Sequence, residues 1–204
     1  AERMAAPGQL EFSALDIDGT LAVEPFSYAG DPMPVAQVNI DAFSPRSLMQ
    51  SLKIDAPETA DPTALGKLMF AGKAAVGKDS IRLTGITLLI DDTTFKGELS
   101  VPSAANGTYH LTLAGDTMDL DRYMAPADEA ASSAAAADEP PLEIPVDMIR
   151  AFNVRGDLTL ASASLGGMQF DNIAVGINNQ NGKLRVHPIS ADFFEGSYQG
   201  DIRI

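Results

Sequence analysis

Three stretches of this chain repeat one pattern, and that pattern restricts what the rest can be. Leu15-Asp16-Ile17-Asp18-Gly19-Thr20-Leu21-Ala22-Val23 aligns without a gap on Phe152-Asn153-Val154-Arg155-Gly156-Asp157-Leu158-Thr159-Leu160. The same offset pairs Gly30 with Gly167, Val38 with Val175 and Ile40 with Ile177, and a third copy runs from Leu68 to Val76 around Gly72. Each copy alternates apolar and variable positions about a central glycine. Successive side chains of a strand point to opposite faces, so this alternation predicts strands with one buried face. A glycine inside such a strand marks a bulge or a close backbone approach, and repetition predicts a sheet assembled from similar units.

A second signature closes two of the units. Val38-Asn39-Ile40-Asp41-Ala42-Phe43 parallels Met118-Asp119-Leu120-Asp121-Arg122-Tyr123, each read as a last strand leaving the sheet. Asn106-Gly107 and Asn181-Gly182 sit between alternating runs, a strong hairpin signal, and Asp91-Asp92 is expected to turn the chain between Ile81–Ile90 and Phe95–Val101. Helices are expected to be short and few. Ser44-Pro45 opens one over about 44–53, with Ser as N-cap and Pro at the first helical position, and Asp61-Pro62 opens another over about 61–69. Pro145 precedes a third, marked by Val146, Ile149 and Phe152. Residues 125–145 hold five carboxylates, no base and almost nothing to bury, which predicts a disordered linker. The expected domains are a β-repeat region over 1–124, this acidic Ala/Pro-rich linker, and a helix-plus-meander unit over 146–204.

Charge and composition narrow the function. Lys plus Arg number 14 against 28 Asp plus Glu, a net charge of −14. Phosphates are bound by basic patches, so no nucleic acid is expected, and direct docking on anionic lipid head groups is disfavoured. The chain has no Cys, which excludes disulfides, thiol nucleophiles and Cys-type metal sites. Apolar runs such as Ile86–Ile90 fall far short of the roughly 18 residues of a spanning helix. Ala1-Glu2-Arg3-Met4 does not read as the start of a signal peptide.

The sharpest catalytic motif is Asp16-Ile17-Asp18-Gly19-Thr20-Leu21. It resembles the first motif of haloacid-dehalogenase phosphatases, whose two aspartates act as nucleophile and acid/base. Gly115-Asp116-Thr117-Met118-Asp119-Leu120-Asp121 imitates their later magnesium-binding motif. The repeats argue against that chemistry, because Asn153 and Arg155, or Met69 and Ala71, occupy the same register in the other copies. Such enzymes also need crossover helices between parallel strands, whereas the pattern between Gly72 and Leu113 is that of hairpins. His110 and His187 have no partner at ligand spacing. Gly196-Ser197-Tyr198-Gln199-Gly200 only looks like a nucleophile elbow, and Asn106-Gly107-Thr108 reads as a turn before it reads as a glycosylation site. No catalytic residue, metal or cofactor is expected.

The residues left over are apolar. Ile17, Leu21 and Val23 share a strand face, as do Leu111 with Leu113, Leu158 with Leu160, Val175 with Ile177, Leu184 with Val186, and Ile202 with Ile204. They are the ordinary core of a β protein or the lining of an open groove that shelters acyl chains. Long sheets with few covering helices cannot easily bury both faces, so part of this apolar surface is expected to need a ligand or partner.

In the order of its motifs the chain resembles the AsmA family of Gram-negative envelope proteins. The resemblance is best over Pro145–Ile204, with Val146-Asp147-Met148-Ile149-Arg150-Ala151-Phe152, Phe170-Asp171-Asn172-Ile173, Asn181-Gly182-Lys183-Leu184 and the closing Phe193-Phe194-Glu195-Gly196. Phe43-Ser44-Pro45-Arg46, Pro57-Glu58-Thr59-Ala60-Asp61-Pro62 and Asp91-Asp92-Thr93-Thr94-Phe95-Lys96-Gly97 extend it through the middle. It implies a periplasmic β-repeat protein, held to the inner membrane by an anchor outside this chain and linked to outer-membrane biogenesis. Phospholipid or another acyl-chain lipid would be the ligand, with outer-membrane or envelope proteins as possible partners. The expected fold is mostly β: short helix plus antiparallel β-meander units forming a curved, partly open sheet. The expected function is non-enzymatic, with a protein–protein interaction module as the alternative.

Overall fold

Tight turns join most of the strands, as the alternation and its punctuation require. The computed structural model describes residues 4–28, 33–126 and 152–203. Its strands are β1 (Gly8–Ala14), β2 (Ile17–Val23), β3 (Val35–Phe43), β4 (Leu68–Val76), β5 (Ser80–Ile90), β6 (Thr93–Pro102), β7 (Thr108–Asp119), β8 (Asn153–Leu165), β9 (Met168–Gln180), β10 (Lys183–Phe193) and β11 (Gly196–Arg203). They form one 11-stranded sheet in sequence order. It does not close: β1 and β11 are its two edges. Asn181 and Gly182 join β9 to β10 with φ of 52° and 77°, the mirror-image turn whose twist suits a two-residue hairpin. Asp91-Asp92 joins β5 to β6 as expected, while the Asn106-Gly107 hairpin has a longer loop, 103–107.

Two expectations need correction. Every neighbouring pair is antiparallel except β7 and β8, which run parallel with Leu113 opposite Leu158; the sheet is therefore mixed. A parallel step cannot be made by a hairpin, and the connection after β7 passes mostly outside the described residues. The helix expected over 61–69 does not form. Asp61 accepts the Thr63 N–H at 2.8 Å and its hydroxyl at 2.6 Å, a single Asx turn. Leu65 then takes a left-handed φ of 60°, and the backbone N–H groups of Leu65, Gly66 and Lys67 bond to the Asp91 carboxylate instead of continuing a helix. By contrast α1 (Pro45–Ser51) lies within the expected segment, with the Ser44 hydroxyl accepting the Ser47 N–H at 3.2 Å. Nearly all of the expected linker, and the expected helix before Phe152, lie outside the described residues.

The buried core is small. Phe95, Leu160 and Ala163 form its centre, with Leu88, Ile90, Leu113, Met118, Leu120, Leu158 and Ile173 packed around it.

Candidate functional site: one apolar face across the sheet

Directly opposite residues in a ladder share a face, so the register shows how far that face extends. Phe12 of β1 stands opposite Gly19, Gly19 opposite Ile40, Ile40 opposite Phe70, and Phe70 opposite Leu88. Leu88 meets Phe95, Phe95 meets Gly115, Gly115 meets Leu160, and Leu160 meets Ile173. This row is unbroken from β1 to β9 and contains only apolar residues and glycine. The glycines are filled by their neighbours: a Cβ on Gly115 would meet Leu160 at 2.5 Å and Phe95 at 2.7 Å. A second row, Leu111, Gly156, Ile177, Val186 and Ile202, runs from β7 to the β11 edge.

The register brings the sequence candidates together on this face. Ile17, Leu21 and Val23 lie on β2, Leu111 and Leu113 on β7, Leu158 on β8, Val175 and Ile177 on β9, and Val186 on β10; all are half-buried. Leu160 and Leu184 are buried, and Leu160 belongs to the core centre. Ile202 is 49% exposed, and Ile204 lies outside the described residues. Leu10, Phe12, Phe70, Leu88 and Tyr198 belong to the same face but were not among the candidates. The alternation that marked the others was present in their strands too.

No second layer packs on this face among the described residues. Their one α-helix, α1, has no buried residue, and Leu10, Phe12, Val76, Ile81, Met168 and Tyr198 are exposed. The opposite face carries Thr20, Asn39, Lys73, Lys96, Glu98 and Thr112, so the sheet as a whole is amphipathic.

The densest polar cluster ties the 57–67 segment to the β5–β6 turn and to the 3₁₀ turn Asp121–Tyr123. The Asp91 carboxylate accepts the N–H groups of Leu65, Gly66 and Lys67 at 2.8–2.9 Å and the Tyr123 hydroxyl at 2.7 Å. Burial opposes its ionisation, but these four donors outweigh it and hold the carboxyl below its usual range. Burial and that same bond push Tyr123 up to about 12. Asp61 is lowered to about 2 by the Thr63 hydroxyl and N–H and by Arg122, whose guanidinium also reaches Asp92 at 2.7 Å. Every member of this cluster is engaged in holding chain segments together, which is a fastening role.

The phosphatase motifs do not assemble. Asp16 sits in the β1–β2 turn at φ 62°, and Asp18 follows on β2. Asp119 and Asp121 are five strand positions away, at and just beyond the end of β7, about 24 Å at normal strand spacing. No group of acids or histidines among the described residues could hold a metal ion. No helix among them is long and apolar enough to cross a membrane. No family model, curated protein or solved structure matches the chain.

Proposed function

We propose that the chain is a non-enzymatic lipid-sheltering segment of an AsmA-like envelope protein, working in outer-membrane biogenesis. The observation that supports this reading is the apolar row running from Phe12 to Ile173 with no second layer on it among the described residues. In this reading the sheet curves about its apolar face, its helix-plus-meander units act as repeats, and acyl chains lie along the rows. Each CH₂ group removed from water contributes about 0.8 kcal/mol, so ten of them supply roughly 8 kcal/mol, from which the cost of association and ordering is subtracted. Such a ligand is held and can still be released. The setting is the periplasm, with the inner-membrane anchor elsewhere in the protein.

Native mass spectrometry with lipid extraction, on protein purified from a bacterial envelope without delipidation, tests the reading. The variant Val186→Asn with Ile202→Asn changes two opposed, incompletely buried positions of the face. Bound phospholipid in the parent, lost from a variant with unchanged circular dichroism, is the expected result. A lipid-free parent mass would refute it.

A second reading, an interaction module for an outer-membrane or envelope protein, is favoured by the two open edges. Among the described residues, β1 and β11 each present one unpaired row of backbone groups, a template for strand addition.

A further inference from the structure

The polar face carries a row that neither the fold nor the lipid reading uses. Arg82 of β5 stands opposite Ser100, Ser100 opposite His110, and His110 opposite Arg155. The row continues through Asn178 and Arg185 to Arg203 at the β11 edge. Seven adjacent strands make it about 29 Å long. All four arginines and His110 are exposed. Arg185 and Arg203 are direct neighbours and share Asp201 at 2.9 and 2.8 Å, which holds that carboxyl well below its usual range. Arg82 and Arg155 have no ion pair with a described residue. Two shallow depressions of about 290 and 320 Å³ lie along it, one beside Arg82 and His110, the other beside Asn178 and Arg185.

Charge is also sorted along the strands. The row lies near the rim made by the 77–79, 103–107 and 181–182 connections, where Lys78 and Lys183 join it. The acids near it are Asp79 at the rim and Glu98, Asp157 and Asp201, each two residues further in on its strand. Six bases therefore meet four acids in a chain whose net charge is −14. The other rim is acidic, with Asp116, Asp119, Asp121, Asp171, Asp192 and Glu195, and Arg122 there is already held by Asp61 and Asp92. At physiological salt a surface responds to charges within about 8 Å, so the local excess governs contact and the net charge does not.

We infer that this basic rim docks the sheet end-on against the phosphate head groups of an anionic bilayer. The row Leu111, Gly156, Ile177, Val186, Ile202 lies one residue along from His110, Arg155, Asn178, Arg185 and Arg203, on the opposite face. A lipid leaving the bilayer at this rim meets arginines with its phosphate and the apolar row with its chains. The entry of the chains rests on the lipid reading; the docking does not.

Flotation with vesicles separates the two. The chain is expected to float with phosphatidylcholine vesicles containing phosphatidylglycerol at physiological salt, to detach at high salt, and to ignore pure phosphatidylcholine. Arg82→Gln with Arg155→Gln removes two charges that hold no ion pair with a described residue, and should weaken flotation about 30-fold. Asp192→Asn with Glu195→Gln alters net charge by as much at the far rim and should leave flotation unchanged. Val186→Asn with Ile202→Asn should still float, so lost lipid carriage with flotation intact separates failure of the chain-entry step from failure of docking. Docking is overturned by absent flotation, by equal flotation with pure phosphatidylcholine, or by an Arg82/Arg155 variant that binds like the parent.

Discussion

Replacing Asp91 tests whether a single carboxylate fixes the 57–67 segment to the sheet. Asp91 is 8% exposed and sits at φ 51°, with four donors converging on it. Gly66 and Lys67 are exposed, so water can replace the carboxylate for their N–H groups. The Leu65 N–H and the Tyr123 hydroxyl are half-buried, and each loses a charged acceptor worth about 1.5–3 kcal/mol. Asp91→Ala should therefore cost about 3–6 kcal/mol. Asp91→Asn tolerates the left-handed backbone and keeps one acceptor oxygen, so it should cost about half as much. Urea unfolding followed by circular dichroism measures both, and Tyr123→Phe in each background completes a double-mutant cycle. The phenylalanine change should cost about 1.5–3 kcal/mol in the parent and almost nothing in Asp91→Ala. An Asp91→Ala protein within about 1 kcal/mol of the parent, or equal Tyr123→Phe costs in both backgrounds, would refute the reasoning.

The same cluster sets the pH limits. Asp61, at about 2, and Asp91 ionise more readily folded than unfolded, where the carboxyl value is 3.8. The stability they add is complete above that unfolded value and is lost as pH falls toward 2. Tyr123, raised to about 12 from 10.0, adds stability that is complete below pH 10 and lost as pH rises through 12. Urea midpoints collected across both limbs should fall at each end, and a flat acid limb from pH 5 to 2 would contradict the assignment. Within the apolar face, Leu160→Ala should cost about 2–4 kcal/mol because it empties the core centre. Ile202→Ala, at the exposed edge, should cost under about 1 kcal/mol. Comparable losses at both sites would mean that the face is closed to water along its whole width.

Local pattern revealed most of the strands because a half-buried strand writes its own period. It also revealed α1, whose cap and first-turn proline are adjacent in sequence. Asp61-Pro62 offered the same start, followed by Leu65, Leu68 and Met69 at helical spacing. What overrode it was Asp91, which takes the N–H groups of three successive residues from more than twenty positions away; no window around Asp61 contains that information. The parallel β7–β8 step is equally invisible, since strands read alike whichever way they pair. The arginine row was hidden for a related reason: its members are scattered over four strands, and only register places them side by side.

Register shifts mark where the apolar face would otherwise have been lost. A one-residue slip sends every later side chain to the other face. In β5 the apolar residues Leu83 and Ile86 are three apart, and the ladder shifts between them, with Gly85 at φ 57° absorbing the extra residue. In β10, Val186 and Ile189 are three apart, and the ladders to both neighbours shift there. Each irregular spacing in the sequence coincides with a bulge that restores parity, so Ile86, Leu88 and Ile189 stay on the side of Leu83 and Val186. Strict alternation overlooks such residues, whereas a search allowing one three-residue step per strand would have included them. A sheet whose two faces met the same solvent would gain nothing from restoring parity. Its restoration in β5 and β10, far apart in the sheet, keeps the apolar residues on one face from one side of the molecule to the other.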